Sequence, residues 1–398
     1  MHSVILISHR EMDMEFTALA SRKTSQTLSA TLASSKFDAN TMTTTYRVIS
    51  AHDLTDEQRR TWSDIQANTP ALDSPFFCSE FTRIVASVRN DVEVALMEQD
   101  GRAVGFFPYQ RQGRTAHAVV GRLSEFHGAI APQDLAWSAT ELFRACDIDS
   151  WHFGHLAHMQ KEFGEYAWGQ KPSPFIDLSS GYDAYRAWVK QTGSSLPQVE
   201  RKARKLGREV GPLRFEWHDP APEVLASLVD WKSAQHRRTQ VLEIFRYRWV
   251  KNLLEELKSF VSPAFAAPLA ALYAGDKLVA VHLGIRSQNA LHIWFPAYNL
   301  DYENYSPGLI LLLKLAESAA DRGTGRIDMG PGKERYKQNF KSGDLQVSEG
   351  MVSQSPLTSA ARAMWYRTKQ GIRRSRFRSQ LEAPLIATRR LRQWFAFK

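Results

Sequence analysis

Residues 269–341 read LAALYAGDKLVAVHLGIRSQNALHIWFPAYNLDYENYSPGLILLLKLAESAADRGTGRIDMGPGKERYKQNFK, and the order of elements in this stretch decides the fold. Two apolar segments, residues 269–273 and 277–283, flank a polar turn at Gly275 and Asp276, and this pattern predicts a β-hairpin. Residues 290–295 alternate in polarity and predict another strand. The stretch therefore begins with three successive strands.

A long helix follows the third strand. Residues 307–322 carry an extended apolar face. Ser306 stands at the N-cap position, Pro307 at the first helical position and Gly323 just past the end, and these residue types are preferred at those places. The pattern predicts one helix between Ser306 and Gly323.

The region closes with a short strand, a short helix and a last strand, at residues 326–329, 334–340 and 345–353. The complete order is strand, strand, strand, helix, strand, helix, strand. This order predicts an α/β fold (a mixed α+β sheet) with a parallel crossover between residues 290 and 329.

A similar unit occurs earlier in the chain. Residues 92–97 and 102–107 form another apolar pair around an Asp-Gly turn, and each hairpin follows aromatic-rich helical segments, at residues 57–66, 79–88, 223–236 and 247–260. The repetition predicts two related domains in tandem, at residues 46–180 and 181–355. A chance likeness between two hairpins is the alternative.

Length and cysteine usage bound the class of protein. The 398 residues suffice for two ordinary domains with a sizeable core. With only Cys78 and Cys146 available, a disulfide framework is not expected, and a reducing compartment fits. No apolar run approaches the roughly 18–20 residues of a transmembrane helix, so we expect a cytoplasmic protein.

Both ends of the chain differ from its body. Residues 1–45 are rich in Ser, Thr and Ala and predict a flexible extension, within which Met42 is a candidate start. The tail, residues 356–398, carries eleven Lys or Arg and one acid, Glu382, so that +10 of charge lies there while the whole chain has +9. The near-neutral body does not indicate nucleic-acid binding.

Short motifs recur in a characteristic order between residues 46 and 352. They are Gly105-Phe106-Phe107-Pro108, Ser173-Pro174-Phe175-Ile176-Asp177-Leu178, Trp231-Lys232-Ser233-Ala234-Gln235 with Arg237-Arg238-Thr239, Trp294-Phe295-Pro296-Ala297-Tyr298, Tyr305-Ser306-Pro307-Gly308 and Ile327-Asp328-Met329-Gly330. With the element order, they resemble the GNAT acyltransferase fold. The closer resemblance is to the CelD-type acetyltransferases of cellulose and exopolysaccharide synthesis, which are similar to the Fem-type peptidyltransferases.

The resemblance implies two tandem GNAT-like domains, with transfer chemistry in the second and acetyl-CoA or another acyl-CoA as co-substrate. One departure concerns the loop that binds the CoA pyrophosphate. GNAT enzymes carry Gln/Arg-x-x-Gly-x-Gly/Ala there, whereas residues 302–308 of this chain hold one glycine and neither Arg nor Gln. An acyl carrier protein and an aminoacyl-tRNA therefore stay open as donors.

The start of the long helix is the best phosphate site in the sequence. Free N–H groups and the helix dipole attract anions at a helix N-terminus, and a glycine permits close approach of the ligand. A plain capped helix is the alternative interpretation. The candidate donor-binding residues are Trp294, Ser306, Pro307, Gly308, Lys333 and Lys337, the last two next to a Gly330-Pro331-Gly332 turn.

Acyl transfer requires a base for the acceptor and a proton for the departing thiolate. His282 is the candidate base because histidine titrates near neutrality, although a core histidine is the competing interpretation. Asp328 is the alternative base, or else a cap for the next helix. Tyr298 and Tyr305, which we expect on the loop before the long helix, are candidate proton donors or carbonyl-orienting groups.

Polar residues on two predicted helices are candidates for substrate contact. Lys232, Gln235 and Arg238 recur at three-residue spacing and are expected to face the acceptor, unless they form a solvated face. The basic run at residues 201–208 is either a solvated face or a contact for donor phosphates or an acidic acceptor.

Other reactive residues carry weaker indications. His152, His155 and His158 recur every third residue without a nearby thiol, so no metal site is expected. The sequence around Cys78 and Cys146 lacks the context of a catalytic thiol.

The basic tail interleaves arginines with aromatic residues. Such a segment can lie on an anionic membrane surface or bind a nucleic-acid backbone, and a solubilising tail is the third possibility. We expect peripheral contact with the inner membrane face.

The leading functional hypothesis is an acyl-CoA-dependent N- or O-acyltransferase acting on a sugar or polar metabolite in envelope or exopolysaccharide synthesis. A Fem-like aminoacyl-tRNA-dependent transferase and a non-catalytic partner of a polysaccharide synthase are the alternatives.

Overall fold

The computed structural model describes residues 43–157, 160–192 and 195–355, together with residues 363, 364, 366 and 368. This part of the chain forms a mixed sheet of twelve strands with helices on both faces. The predicted mixed α/β fold is confirmed. The predicted extension and nearly all of the basic tail lie outside the described residues.

The strands are β1 (Thr45–Ser50), β2 (Val92–Gln99), β3 (Arg102–Gln112), β4 (Thr115–His117), β5 (Ser150–Ala157), β6 (Ala167–Asp177), β7 (Leu213–Glu216), β8 (Leu269–Ala274), β9 (Lys277–Arg286), β10 (Ala290–Tyr298), β11 (Arg326–Asp328) and β12 (Gly343–Ser353). The helices are α1 (Asp56–Ala67), α2 (Ser79–Val88), α3 (Ala139–Ala145), α4 (Tyr182–Gln191), α5 (Leu196–Glu209), α6 (Pro222–Arg238), α7 (Arg248–Ser259), α8 (Pro307–Asp321) and α9 (Arg335–Phe340).

The same pairing scheme occurs twice. Strands β1 to β4 are antiparallel neighbours in chain order, and β4 pairs in parallel with β5 across α3. Strands β7 to β10 repeat this arrangement, and β10 pairs in parallel with β11 across α8. We call residues 43–180 the first half and residues 181–355 the second half. The repeated unit that the sequence predicts is therefore present in the strand topology.

The last strand of each half pairs with the other half. β6, which ends the first half, lies beside β11, while β12, which ends the second half, lies beside β5. The two exchanged strands also pair with each other, from Gly343 opposite Phe175 to Gly350 opposite Ala167. The sheet order is consequently β1-β2-β3-β4-β5-β12-β6-β11-β10-β9-β8-β7, continuous across both halves.

Side chains of the second half alternate between two apolar layers. In β8, Leu269 and Ala271 face the core under α6 and α7, whereas Ala270 and Leu272 face the core under α4, α5 and α8. This alternation follows from the two-residue period of a strand, and the absence of charged residues in β8 reflects burial on both faces. We call these the α6 face and the α8 face.

The sheet opens between β10 and β11. Their parallel pairing stops at His292 opposite Asp328, but β10 continues to Tyr298. β10 also carries a register irregularity against β9 between His292 and Phe295. The prediction that Tyr298 lies on a loop is thus wrong, because β9 supplies a partner for β10 through that residue.

No helix among the described residues has both the length and the apolar character required to cross a membrane.

The exchange of β6 and β12 generates a prediction about a fragment of residues 181–355. This fragment lacks β5 and β6, so β12 loses both of its neighbours. β11 keeps β10 as a neighbour but becomes an edge strand whose other side is unpaired. We expect it to show no cooperative transition in urea when followed by circular dichroism, whereas residues 43–355 unfold cooperatively. A cooperative transition of the shorter fragment would contradict this interdependence.

Candidate active site

The side chain at the N-cap position of α8 does not cap the helix. Pro307 occupies the first helical position, as predicted, and Ser306 precedes it in a left-handed conformation with φ of 55°. The prediction that Ser306 caps the helix is correct in position but not in contact, because its hydroxyl makes no capping hydrogen bond. Pro307 has no N–H, and the N–H groups of Leu309 and Ile310 donate to Ser306 O, so this end offers an anion the N–H of Gly308 and the positive end of the helix dipole.

The hydroxyl of Ser306 instead contacts the basic helix α5. Lys202 Nζ donates a hydrogen bond of 2.8 Å to Ser306 Oγ. This contact brings the predicted basic run to the start of α8. The run also carries exposed cationic side chains spaced three or four residues apart, and these are Arg201, Arg204, Lys205 and Arg208.

Tyr305 belongs to the same surface. Its hydroxyl donates a hydrogen bond of 2.7 Å to Glu209 at the end of α5, and Lys205 lies over its ring at 5.7 Å. The hydrogen bond to Glu209 raises the pKa of Tyr305 above its ordinary value. Tyr305 therefore joins α5 to the loop before α8.

A second polar cluster lies on the α6 face, at the opening of the sheet. Its centre is Glu125, which the first half supplies from the loop between β4 and α3. Glu125 Oε2 lies 2.9 Å from His292 Nε2. His292 is fully buried, whereas the Glu125 side chain keeps 31% of its surface exposed. The carboxylate is thus fixed by a buried partner and still open on one side.

Gly330 forms the other wall around this carboxylate. Its φ is +71°, and a Cβ atom built there would collide with Glu125 Oε2. The turn is fastened by Lys337, whose Nζ donates to the carbonyl oxygens of Gly330 at 3.0 Å and Pro331 at 3.4 Å. Lys337 therefore holds the turn that packs against Glu125, while Lys333 is exposed.

Neighbouring charges keep Glu125 ionised. Burial by itself would raise the pKa of this carboxyl, but the hydrogen bond with His292 and the nearby positive charge of Lys337 act against burial, and the net shift is downward.

Lys232 borders the same opening. Its Nζ donates 2.8 Å to the carbonyl oxygen of Pro296 in β10, and burial lowers its pKa to about 8. Gln235 and Arg238 occupy the same helix but are exposed nearer its end. Of the three predicted acceptor contacts, the structure brings Lys232 to the polar cluster and leaves the other two on the surface.

His282 lies inside the sheet. Its Nε2 accepts a hydrogen bond of 3.3 Å from the Trp294 backbone N–H, and its exposed fraction is 1%. Burial, aided by His292 and Lys232, lowers its pKa to about 3. This imidazole supports the irregular part of β10, and its environment is that of a neutral core histidine.

Two further candidates are engaged with partners elsewhere. Asp328 is completely buried and accepts a hydrogen bond of 2.8 Å from Arg326, so it does not cap α9. Trp294 lies on the α6 face, and its Nε1 donates 2.9 Å to Leu123 O. The structure therefore separates Trp294 from Ser306, which lies on the α8 face. Tyr298, at the end of β10, is 38% exposed.

Residues 194–338 match the family described as Acetyltransferase (GNAT) domain. This matched range lies in the second half, and we call it the GNAT domain. The matched range includes α5, the opening between β10 and β11, and the start of α8, so both clusters contain residues of this domain. Glu125 lies outside it.

Three solved structures are similar to this chain at low sequence identity. The C-terminal domain of a putative lysylphosphatidylglycerol synthetase from Agrobacterium fabrum is 14% identical, with 77% of this chain and 94% of that chain covered and a TM-score of 0.50. A tandem GNAT protein from the clavulanic acid biosynthesis pathway is 12% identical, with coverages of 79% and 99% and a TM-score of 0.43. FemX is 9% identical, with coverages of 68% and 94% and a TM-score of 0.46. No curated protein matches the sequence.

Neither a metal cluster nor a reactive thiol accompanies the GNAT domain in the described residues. No group of three or more His, Cys, Asp or Glu there could hold a metal ion. His155 Nδ1 lies 3.0 Å from Ser124 O, and His158 is not described. Burial raises the pKa of both Cys78 and Cys146 to about 12, which keeps their thiols protonated.

Sequence reasoning missed Glu125 and His292. Glu125 lies in an irregular loop whose residues follow no helical or strand period, and His292 resembles an ordinary inward position of an apolar strand. The two residues are 167 positions apart. The one usable signal was Gly330 within the Ile327-Asp328-Met329-Gly330 motif, because a glycine often marks a close approach.

The buried environment of His282 predicts that it does not titrate near neutrality. With a pKa of about 3, its imidazole stays neutral from pH 5 to pH 8. We expect its ring resonances in NMR spectra of histidine-labelled protein to stay constant over that range, with His282→Gln identifying the signal. A titration midpoint near 6.5 would contradict this.

Gly330 predicts a difference between two alanine substitutions. Gly323 and Gly330 both have positive φ, +76° and +71°, but nothing lies within 4 Å of a Cβ at Gly323. We expect Gly323→Ala to cost roughly 1–2 kcal/mol from the left-handed backbone alone. Gly330→Ala should cost clearly more, since it also displaces Glu125. Urea denaturation measures both, and equal losses would contradict the close approach.

Proposed function

We propose that this chain is an acyltransferase that takes an acyl group from acetyl-CoA or another acyl-CoA and transfers it to an amine or hydroxyl of a sugar or other polar metabolite. The observation that carries the proposal is the hydrogen bond between Lys202 and Ser306, which joins a basic helix to the N-terminus of α8 within the GNAT domain.

This arrangement suits a donor that carries several phosphates. The partial positive charge at the start of α8 attracts a phosphate oxygen, and the cationic side chains of α5 add longer-range attraction. Lys202 and Ser306 supply polar atoms next to that helix end, and Gly308 leaves room at the backbone. In the proposal these groups take the place of the glycine-rich loop that the sequence lacks.

The thioester would enter the opening between β10 and β11. There the pairing of the strands has stopped, so backbone groups of β10 beyond His292 can polarise a carbonyl. The donor would then pass from the α8 face, where its phosphates bind, toward the α6 face, where Glu125 and Lys232 lie. The acceptor would approach from the α6 face.

The pathway is proposed on the sequence resemblance to CelD-type acetyltransferases. An acceptor in envelope or exopolysaccharide synthesis fits that resemblance, and contact of residues 357–398 with the inner membrane face would bring the enzyme to such an acceptor. The basic and aromatic composition of the tail supports this part of the proposal.

The donor site is tested by calorimetry with acetyl-CoA. We expect the full-length protein to bind acetyl-CoA and Lys202→Gln to weaken binding by about 10- to 150-fold, because one charge-assisted hydrogen bond contributes about 1.5–3 kcal/mol. Lys314→Gln is the matched control, since Lys314 lies farther along α8 and pairs with Glu317 at 2.7 Å.

Failure of the wild-type protein to bind acetyl-CoA would reject the donor assignment. Retention of aminoacyl-tRNA in the same preparation would then favour the Fem-like reaction. Equal affinity in Lys202→Gln and the wild type would show that the phosphates bind elsewhere.

A further inference from the structure

We propose that Glu125 accepts the proton of the attacking acceptor group, so that the first half supplies a catalytic carboxylate to the GNAT domain of the second half. The inference rests on the proposed acyltransferase function and deepens it. It assigns a chemical task to a half that the family match does not cover.

The topology identifies which loop makes this contribution. The first half pairs β4 with β5 across α3 in the same way that the second half pairs β10 with β11 across α8. The loop before α8 contains Ser306. Its counterpart before α3 contains Glu125 but leads into a helix of only seven residues. The first-half loop thus precedes only a short helix, and it reaches across to the second half.

Three residues of the loop contact two residues of β10. Leu123 O accepts the hydrogen bond from Trp294 Nε1, and Glu125 lies against His292 Nε2. The ring of Phe126 packs edge-on against His292, with 6.2 Å between ring centroids. These contacts fix the loop on the α6 face, so tertiary packing determines the position of Glu125.

Glu125 also lies where the sheet opens. His292 is the last β10 residue paired with β11, and Gly330 follows β11 by two residues. The carboxylate touches both sides of the opening, against His292 on one and Gly330 on the other. A thioester inserted in the opening would bring its carbonyl carbon to this mouth.

The groups that face Glu125 come from four other elements. His292 belongs to β10, His155 to β5, Lys232 to α6, and Lys337 and Tyr336 to α9. The cationic lysines stabilise the carboxylate form. Because Glu125 is ionised, His292 must donate its Nε2–H to it, which fixes the tautomer of His292 and makes His292 a positioning residue.

The proposed step balances without another reactant. The acceptor heteroatom attacks the thioester carbonyl carbon, a new bond to carbon forms, and the carbon–sulfur bond breaks. The acceptor proton passes to a Glu125 oxygen. The sulfur leaves with the bonding electron pair and gains a proton from solvent. Glu125 then returns its proton to solvent, leaving acylated acceptor and free thiol.

The test measures the release of free CoA thiol by the full-length protein from acetyl-CoA, with glucosamine as the amine acceptor, glycerol as the hydroxyl acceptor and water as background. We expect Glu125→Gln, which can still accept the hydrogen bond from His292, to lower kcat by about 10²–10⁴-fold. Its affinity for acetyl-CoA in calorimetry should stay unchanged. Glu57→Gln, an exposed first-half carboxylate in α1, is the matched control and should match the wild type.

Rescue separates a proton acceptor from a structural contact. Formate should restore part of the activity of Glu125→Ala, because a small carboxylate can occupy the vacated space, whereas a purely structural loss would not respond.

Wild-type kcat in Glu125→Gln, or absence of rescue in a folded Glu125→Ala protein, would overturn the assignment. Bound acetyl-CoA without any CoA release by the wild type would also overturn it, since a base at the thioester would activate water. Absence of acetyl-CoA binding would instead reject the donor assignment.

Discussion

The antiparallel pairing of β6 with β12 is the constraint on which the rest of the structure depends. An isolated half would leave its fifth strand with an unpaired edge, and each half removes the other's edge by supplying its own last strand. Because the exchanged strands also pair with each other, the two halves share one continuous ladder. The halves cannot shift against each other without breaking backbone hydrogen bonds at the centre of the sheet, so contacts between them are geometrically fixed.

That rigidity makes the contact between Glu125 and His292 possible. A carboxylate in a largely apolar setting is costly unless hydrogen bonds and opposite charges offset the loss of water. Here the hydrogen bond with His292 and the nearby charge of Lys337 act together, and the net effect favours the ionised form. Gly330 supplies the space, because any side chain there would occupy the position of the carboxylate. The polar cluster and the strand exchange are therefore parts of one arrangement.

The sheet also separates two groups of charged residues, one on each of its faces. Cations of α5 and the start of α8 lie on one face, where we propose that the donor phosphates bind, while Glu125 and Lys232 lie on the other. The opening between β10 and β11 joins the faces at the place where strand pairing ends. His282 contributes by bonding to the irregular part of β10, which explains why a histidine that looks reactive in the sequence is a neutral support in the structure. Its exclusion from solvent, rather than its side-chain chemistry, decides its role.

The sequence by itself determined the order and type of the elements around the GNAT domain. Turn residues, Pro307, Gly323 and the apolar periods are local signals, so the hairpins, the long helix and the repeated unit could be predicted from them. The basic run of α5 could also be recognised, but not its contact with Ser306, which spans 104 positions. Only the tertiary structure decided the strand exchange and the meeting of Glu125 with His292. Both join segments far apart in the chain, and pairing between distant segments depends on the packing of the whole sheet, which leaves no periodic trace in either segment.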